Sequence, residues 1–355
     1  MNLTLVLTQN CNMDCTYCIH EKKPIDMSEE VMDKACQLIF SSGRSAGFSF
    51  FGGEPLLKAD LIYKALAKCR EISNAKNIPF ECKITTNATL IDEQFISQAK
   101  EYKMGVALSF DGLIQNKCRK MTDGSESFDL VEEKVKMLLK EIPSAYAMMT
   151  VAPEAAAGLA DSVKYLYEIG FRRINTTIAY GNRVCWDEDS LEVVEAEMDK
   201  VARFYEECFE KDYFFFGPFN GKIKDYVTGK SASEKCHLGM RQMIVATDGK
   251  IYVCNQFIGD EEYCAGDVFK GLDRDSQIRI ANKALTRKEP EDCLECDIRD
   301  RCTHTCGCNN RMETGDEDIV SATTCLYEQM LVKKSDELAE RLYNRNPKLF
   351  EKKFG

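Results

Sequence analysis

The first half of the chain alternates short apolar segments with longer amphipathic ones. Continuous apolar runs are typical of buried parallel strands, and apolar residues spaced three and four apart are typical of helices that bury one face. This pattern predicts strands at 3–7, 47–51, 81–86, 105–110, 145–151 and 173–178. It predicts helices at 29–40, 61–72, 92–102, 128–139 and 162–169, with Ser28 and Asp92 at the starts of two of them.

Six strand–helix repeats predict an α/β fold with a parallel sheet curled into a partial barrel, because a closed barrel needs eight. We expect this barrel to occupy residues 1–215, ending in the aromatic run 213–216, which we interpret as core filling at a joint. A bridging segment is expected at 216–235. From residue 236 cysteines crowd and periodicity weakens, which predicts a small metal-stapled domain over 236–330. A final helix is expected at about 326–343, with the apolar residues Leu326, Met330 and Leu331, and residues 331–355 are expected to form a C-terminal helical region.

Composition narrows the class of protein. The 355 residues carry a net charge of −11 without clustered basic residues, which argues against nucleic-acid binding. There is no apolar run long enough to span a membrane and no secretory signal, so we expect a cytoplasmic protein. In a reducing compartment the 18 cysteines indicate metal ligation rather than disulfides. Six without motif spacing are expected to be buried core residues: Cys36, Cys69, Cys82, Cys118, Cys185 and Cys208.

Three cysteines follow the first predicted strand in the sequence Cys11-Asn-Met-Asp-Cys15-Thr-Tyr-Cys18. Thiolates at this spacing can wrap one loop around a cubane iron–sulfur cluster, which usually takes four cysteine ligands. Three ligands leave one iron open to a substrate or cofactor, so the loop predicts a reactive cluster. Its position after a strand places it at the end of the barrel where such folds carry their chemistry.

The spacing resembles the C-x₃-C-x-aromatic-C signature of the radical S-adenosylmethionine (SAM) superfamily, with Tyr17 as the aromatic residue. The resemblance implies that Cys11, Cys15 and Cys18 are catalytic metal ligands of a [4Fe–4S] cluster that binds SAM. Reductive cleavage of SAM would give a 5′-deoxyadenosyl radical, which abstracts a hydrogen atom from the substrate. The electron would come from a flavodoxin-like or ferredoxin-like donor.

The resemblance extends to Phe51-Gly52-Gly53-Glu54-Pro55 after the second strand. Family members use this loop to bind the methionyl amine of SAM, which implies a cofactor-binding role for Gly52, Gly53, Glu54 and Pro55. Glu54 would hold the amine, and glycine lets the backbone approach the ligand. Later strand ends add the candidates Thr86, Asn87, Ser109, Asp111 and Arg119. Arg119 is either the partner of the SAM carboxylate or a surface residue.

Seven cysteines of residues 236–355, called the tail from here on, resemble the auxiliary-cluster pattern called SPASM. They read Cys236-x₁₂-Gly249-x₄-Cys254, then Cys293-x₂-Cys296-x₅-Cys302-x₃-Cys306, and finally Cys325. The resemblance implies two auxiliary [4Fe–4S] clusters, three in all. Cys236, Cys254 and Cys306 would hold the first, and Cys293, Cys296, Cys302 and Cys325 the second. Without this context, the C-x₂-C pair would equally fit structural zinc.

The chain departs from its relatives at two points. The first auxiliary set has only three ligands, because residues 231–235 lack the cysteine that relatives often carry there. Cys264 or Cys308 can fill the place, or the iron is open to substrate; His304 is a further candidate ligand. Anaerobic sulfatase-maturing enzymes usually have a proton-accepting aspartate directly after the position of Cys254. Asn255 stands here and cannot act as a base.

We therefore expect a radical SAM maturase of a ribosomally made precursor peptide, forming a thioether or carbon–carbon crosslink or a related modification. The alternative is an anaerobic sulfatase-maturating enzyme that forms formylglycine. A non-enzymatic iron–sulfur or zinc protein is disfavoured, because it would have no use for the Gly-Gly-Glu-Pro loop. Since the first strand begins at residue 3, we expect leader recognition by a separate leader-binding protein or by the barrel rim. The acidic surface suits a basic leader.

Overall fold

The computed structural model describes residues 1–43, 45–229 and 243–355. Its strands are β1 (Asn2–Val6), β2 (Met13–Cys15), β3 (Ala46–Phe51), β4 (Phe80–Thr86), β5 (Gly105–Leu108), β6 (Arg119–Met121), β7 (Tyr146–Val151), β8 (Arg173–Ile178), β9 (Phe215–Phe216), β10 (Met243–Val245), β11 (Lys250–Tyr252), β12 (Cys264–Asp267) and β13 (Gly271–Leu272). Its helices are α1 (Glu29–Ile39), α2 (Ala59–Lys76), α3 (Glu93–Glu101), α4 (Gln115–Cys118), α5 (Phe128–Glu141), α6 (Leu159–Glu168), α7 (Glu188–Phe209), α8 (Gly217–Thr228), α9 (Arg274–Leu285), α10 (Glu291–Leu294), α11 (Gly307–Thr314), α12 (Ala322–Arg345) and α13 (Pro347–Phe354).

The six predicted strands form the parallel centre of one sheet, in the order β1-β3-β4-β5-β7-β8. Each strand lies beside the one before it in this series, and helices connect them, which is the winding of a (β/α) barrel. The expected partial barrel is confirmed, with strand ends within a few residues of the prediction. All six strands point their carboxyl ends to the same edge, where the loops after β1, β3, β4 and β5 meet.

The cysteine-rich segment contributes strands to this same sheet, which the sequence did not predict. β10 pairs in parallel with β1, with Leu3 opposite Met243, and β11, β12 and β13 continue the sheet in antiparallel order. At the far edge β9 pairs in parallel with β8. α12 runs continuously across the expected boundary at residue 330 and packs against α7 and α8. The cysteine-rich segment and the helix after it therefore pack against the barrel, through β10 at one end and through α12 at the other.

Helix starts agree with the capping residues read from the sequence. Ser28 accepts a hydrogen bond from the Val31 amide at 3.2 Å, and Asp92 accepts one from Phe95 at 2.7 Å. The apolar face of α12 departs from the expected one at Leu326, which is 51% exposed. Leu331 is buried as predicted, Met330 packs against the same core, and Tyr327, one turn before Leu331, is buried in addition.

Five of the six scattered cysteines are buried as predicted, but Cys185 is exposed, in the loop between β8 and α7. Within the aromatic run, Phe214 and Phe216 are buried and fill the core as predicted, whereas Phe215 is half-buried and Tyr213 is 56% exposed. A second, smaller core forms inside the cysteine-rich segment around Val253, Phe257 and Tyr263. None of the helices that the structure describes combines the length and the apolar character needed to cross a bilayer.

Candidate functional site

The loop after β1 folds its three cysteines around the mouth of the barrel. Cys15 is the last residue of β2, which pairs with β6 so that Cys15 lies opposite Arg119. The Cys18 amide donates to the Cys15 carbonyl at 3.1 Å, which turns the chain back. All three cysteines line one cavity of about 390 Å³. Burial raises the pKa of Cys11 to about 11 and also raises that of Cys15. Burial therefore opposes the ionisation of Cys11 and Cys15, and a bound metal would favour it.

Gly52 and Gly53 bring the loop after β3 into contact with the cysteine loop. A Cβ on Gly52 would lie 2.4 Å from the Thr8 carbonyl oxygen, and one on Gly53 would lie 2.2 Å from that of Asn10. Backbone hydrogen bonds of 2.9 Å join Gly53 to Thr8 and Glu54 to Asn10. The glycines thus allow close approach to the backbone that precedes Cys11, in addition to lining the cavity.

The Glu54 side chain is fully buried and does not line the cavity; it lies behind the residues that do. Its carboxylate accepts hydrogen bonds from the Thr86 hydroxyl (2.7 Å) and from the amides of Asn87 (2.7 Å) and Leu56 (2.9 Å). Burial raises its pKa to about 7, against the effect of these three bonds. With its carboxylate engaged in this way, Glu54 anchors the loops that follow β3 and β4. The expectation that it directly holds the amine of SAM does not fit this geometry.

Arg119 and Asp111 form a bidentate ion pair beside the cysteines. The Nε and Nη2 atoms of Arg119 lie 2.6 and 3.0 Å from the two carboxylate oxygens, and both side chains are almost fully buried. Asp111 also accepts from the Thr150 amide at 2.9 Å. Arg119 lines the cavity and is not a surface residue, whereas Asp111 lies behind it. Asp111 therefore fixes the direction of the guanidinium.

The cavity collects most of the residues that the resemblance implied for SAM. Its walls include the following predicted residues: Cys11, Cys15, Cys18, Gly52, Gly53, Thr86, Asn87, Ser109 and Arg119. Pro55, like Glu54 and Asp111, is buried outside the wall. Three cysteines that line a glycine-containing, partly polar space fit a cysteine-bound cluster together with a ligand of the size of SAM.

Several wall residues were not predicted. Thr150 and Tyr180 follow the strand-end rule, because they lie at or just after the carboxyl ends of β7 and β8, and that rule could have found them. Gln256, Asn309 and Met312 come from the cysteine-rich segment. No local signal in the sequence indicates these three, since they reach the barrel only through tertiary packing.

Three cysteines of the tail come together near the barrel mouth. The Cys308 sulfur lies 3.4 Å from that of Cys306 and 3.8 Å from that of Cys254. Its hydrogen bonds with these neighbours raise the pKa of Cys308 and lower those of both other thiols. The Cys264 sulfur instead approaches the Gly266 carbonyl at 3.4 Å. Cys236 falls outside the described residues.

The other predicted set consists of Cys293, Cys296, Cys302 and Cys325; Cys302 is buried and the other three are half-buried. Burial and the charges of Cys325 and Cys296 raise the pKa of Cys293, and burial raises the pKa of Cys302 to about 12. His304 points its Nε2 at Glu289, 3.4 Å away. In the described part of the chain, no three His, Cys, Asp or Glu side chains already stand where they could bind one metal ion together.

A second cavity of about 770 Å³ lies between the barrel and the tail, lined by Cys254, Cys306 and Cys308. Six residues line both this cavity and the one with the opening cysteines: Thr177, Tyr180, Asn255, Gln256, Asn309 and Met312. The Lys222–Glu328 ion pair, 2.7 Å long and nearly buried, forms part of the second wall. The tail cysteines therefore adjoin the predicted SAM site across one shared wall.

Residues 5–166 match the Radical SAM superfamily. A cysteine-type anaerobic sulfatase-maturating enzyme of Clostridium perfringens is 25% identical over 278 residues, 72% of this chain and 74% of that protein. An uncharacterized protein of Methanocaldococcus jannaschii is 31% identical over 176 residues, which cover 49% of this chain and 61% of that protein.

Two solved structures share the fold. The structure of anSMEcpe with bound AdoMet and the Kp18Cys peptide superposes with a TM-score of 0.79 at 23% identity, covering 97% of this chain and 99% of that one. Streptococcus suis SuiB bound to the precursor peptide SuiA superposes with a TM-score of 0.67 at 15% identity, covering 91% and 75% of the two chains. The whole described architecture, tail included, therefore recurs in known proteins.

Proposed function

Since this chain is a radical SAM enzyme related to the sulfatase-maturating enzymes, we propose that it modifies a peptide held across its two adjoining cavities. The modification is a thioether or carbon–carbon crosslink, or a related change, in a ribosomally made precursor peptide. The observation that carries this proposal is the shared wall of six residues, which joins the cysteine-lined cavity of the barrel to the larger cavity under the tail.

The residues around the first cavity would have different roles in this reaction. Cys11, Cys15 and Cys18 would hold the cluster, and Gly52 and Gly53 keep their loop in place. When bound, the cluster and SAM supply a 5′-deoxyadenosyl radical that takes a hydrogen atom from the substrate. Arg119, oriented by Asp111, offers a fixed positive charge at the wall for the carboxylate of SAM.

The second cavity has the size and lining expected for a peptide segment. At about 770 Å³ it can hold several side chains, and it offers Lys222, Glu328 and Tyr327 for polar contacts. Both solved neighbours named above were determined with bound peptides, which supports a substrate of this kind. A small flavodoxin-like or ferredoxin-like protein would donate the electron. The net charge of −11 suits a basic leader, presented by the barrel rim or by a separate leader-binding protein.

Anaerobic turnover tests the proposal. The reconstituted enzyme, with dithionite and SAM, is incubated with short peptides encoded beside its gene. We expect 5′-deoxyadenosine together with a peptide that has lost a pair of hydrogens, located by tandem mass spectrometry. Formation of 5′-deoxyadenosine with every neighbouring peptide left unmodified would contradict the proposed substrate class.

Formylglycine formation is a second candidate, favoured by the match to sulfatase-maturating enzymes over most of both chains. Asn255 argues against it, because it lies in the shared wall where those relatives usually carry an aspartate base. Asn255→Asp would restore a proton acceptor there. If this were the native reaction, wild-type enzyme would convert a cysteine-containing sulfatase peptide to the aldehyde. We expect no conversion by the wild type and some by Asn255→Asp, with Asn255→Ala as the matched control.

A further inference from the structure

Cys308 belongs to none of the spacings that predicted cluster ligands, yet it contacts two of the predicted ligands directly. Its sulfur is 3.4 Å from Cys306 and 3.8 Å from Cys254, which is 54 residues away in the chain. Cys264, the other additional cysteine of the tail, turns its sulfur to the Gly266 carbonyl. The sequence left both Cys264 and Cys308 open as the missing ligand. Of these two, Cys308 is the one whose sulfur contacts predicted ligands.

The start of α11 explains why Cys308 reaches this position. Cys306 is the cap residue of the helix and Cys308 lies in its first turn, so both residues belong to the helix start, where amide groups lack partners within the helix. The partial positive charge there favours thiolates. Cys308 is also nearly buried, and its neighbours Cys254 and Cys306 line the same cavity.

Gly307, between the two cysteines, leaves room for the guanidinium group of Arg287. A Cβ at this position would lie 2.1 Å from the Nη2 atom of Arg287, so only glycine lets the guanidinium lie against the link. Arg287 is held there by a 2.9 Å hydrogen bond to the Thr305 carbonyl and by Glu317 at 3.2 Å. Arg287, which is also paired with Glu317 and Asp318, therefore lies against the backbone link between the two cysteines.

We propose that Cys308 is a ligand of an auxiliary iron–sulfur cluster, together with Cys254 and Cys306. It takes the place of the cysteine that residues 231–235 lack. A thiolate of the protein then occupies a position that would otherwise be open to substrate. This inference goes beyond the proposed function, because it does not depend on which peptide is modified.

Metal analysis of the anaerobically reconstituted full chain tests the proposal. Cys308→Ala should lose about four irons per chain, the content of one cubane, together with one reduced-cluster signal in electron paramagnetic resonance. Cys264→Ala is the matched control and should keep the iron content and spectrum of the wild type. Wild-type iron and spectra in Cys308→Ala would overturn the proposal, as would zinc in place of iron in the wild-type protein.

Cys308→Ser covers the case in which the alanine variant fails to fold. Serine keeps the size of the side chain and offers an oxygen ligand, so it should shift the spectrum of one auxiliary cluster. Reductive cleavage of SAM should persist, because Cys11, Cys15 and Cys18 are intact. An unchanged spectrum in this variant would overturn the proposal. Failure to modify any peptide would leave all of these metal readouts unaffected, so it bears only on the proposed function.

Discussion

The Glu54 carboxylate accepts a hydrogen bond from the Thr86 hydroxyl at 2.7 Å; both side chains are buried, Thr86 in the wall of the cysteine-lined cavity and Glu54 behind it. This contact joins the loop after β3 to the end of β4. Because the next residue, Asn87, lines the cavity and approaches the Cys11 sulfur, the joint also sets the position of the first cysteine. Glu54 is therefore a positioning residue of the site.

Glu54→Gln should destabilise the protein by about 1–3 kcal/mol, because the Asn87 amide would face an amide group in place of a carboxylate oxygen. The variant should also lose a pH dependence. Burial raises the pKa of Glu54 from 4.5 to about 7, so its stabilising contribution is full below pH 4.5 and is lost as the pH rises through 7. Denaturant unfolding under anaerobic conditions at several pH values would measure this.

The exposed Glu133 provides the control for this experiment. Glu133→Gln should keep both the stability and the pH profile of the wild type. If Glu54→Gln and the wild type showed the same slope between pH 4.5 and 7, the assignment of that slope to Glu54 would be wrong.

Gly53→Ala should displace the cysteine loop, since the added Cβ would lie 2.2 Å from the Asn10 carbonyl oxygen and the contact is between two backbone segments. We expect a loss of about 1–3 kcal/mol, as for other overpacked sites, and reduced iron retention at the first cluster. Gly221→Ala in α8 is the control, because its Cβ would meet nothing within 4 Å. Equal iron content in the two variants would contradict this account.

Arg119→Met should be strongly destabilising, by about 3–5 kcal/mol, because it leaves the Asp111 carboxylate buried without its cation. Arg70→Met breaks a half-exposed pair with Glu101 and should cost at most about 1 kcal/mol. Urea unfolding of both variants measures the contrast. SAM affinity should fall only for Arg119→Met; a similar loss of affinity in Arg70→Met would show that the effect is not local.

Tyr327→Phe should raise KM for the peptide without lowering stability. The Tyr327 hydroxyl is buried, has no hydrogen-bond partner among the described residues, and belongs to a side chain that lines the second cavity. Removing an unsatisfied group is neutral or stabilising by about 1 kcal/mol, whereas a substrate that uses it loses a contact. Tyr165 also carries a buried, unpartnered hydroxyl but lines neither of these cavities, so Tyr165→Phe should leave KM unchanged. Steady-state kinetics would separate the two.

Combined replacement of Cys11, Cys15 and Cys18 by alanine should abolish reductive SAM cleavage while the auxiliary iron remains. The tail cysteines lie in a separate segment with its own small core, so their environment does not depend on these three side chains. Iron analysis and detection of 5′-deoxyadenosine by chromatography would test this. Persistent cleavage would place the SAM site elsewhere.

Local sequence patterns predicted most of the elements that build the barrel. The apolar faces of α1 and α3, the capping residues Ser28 and Asp92, and the parallel strands all depend on neighbours within one or two turns, which the sequence displays directly. The pattern was misleading at Leu326, which is exposed, although it correctly predicted the burial of Leu331 in the same helix. The sequence pattern did not predict β10, because the position of this strand depends on pairing with β1, some 240 residues earlier in the chain.

The spacing of Cys11, Cys15 and Cys18 was enough to predict a cluster loop, because all three side chains belong to one short turn. Contacts between residues that are far apart in the sequence depend on how the strands and helices pack in the folded protein. Folding brought Cys308 to Cys254, set the Cys264 sulfur against the Gly266 carbonyl, and turned Glu54 away from the cavity toward Thr86. Spacing along the chain limits which residues of a loop can meet, whereas side chains of distant segments meet only where sheets and helices pack their backbones together.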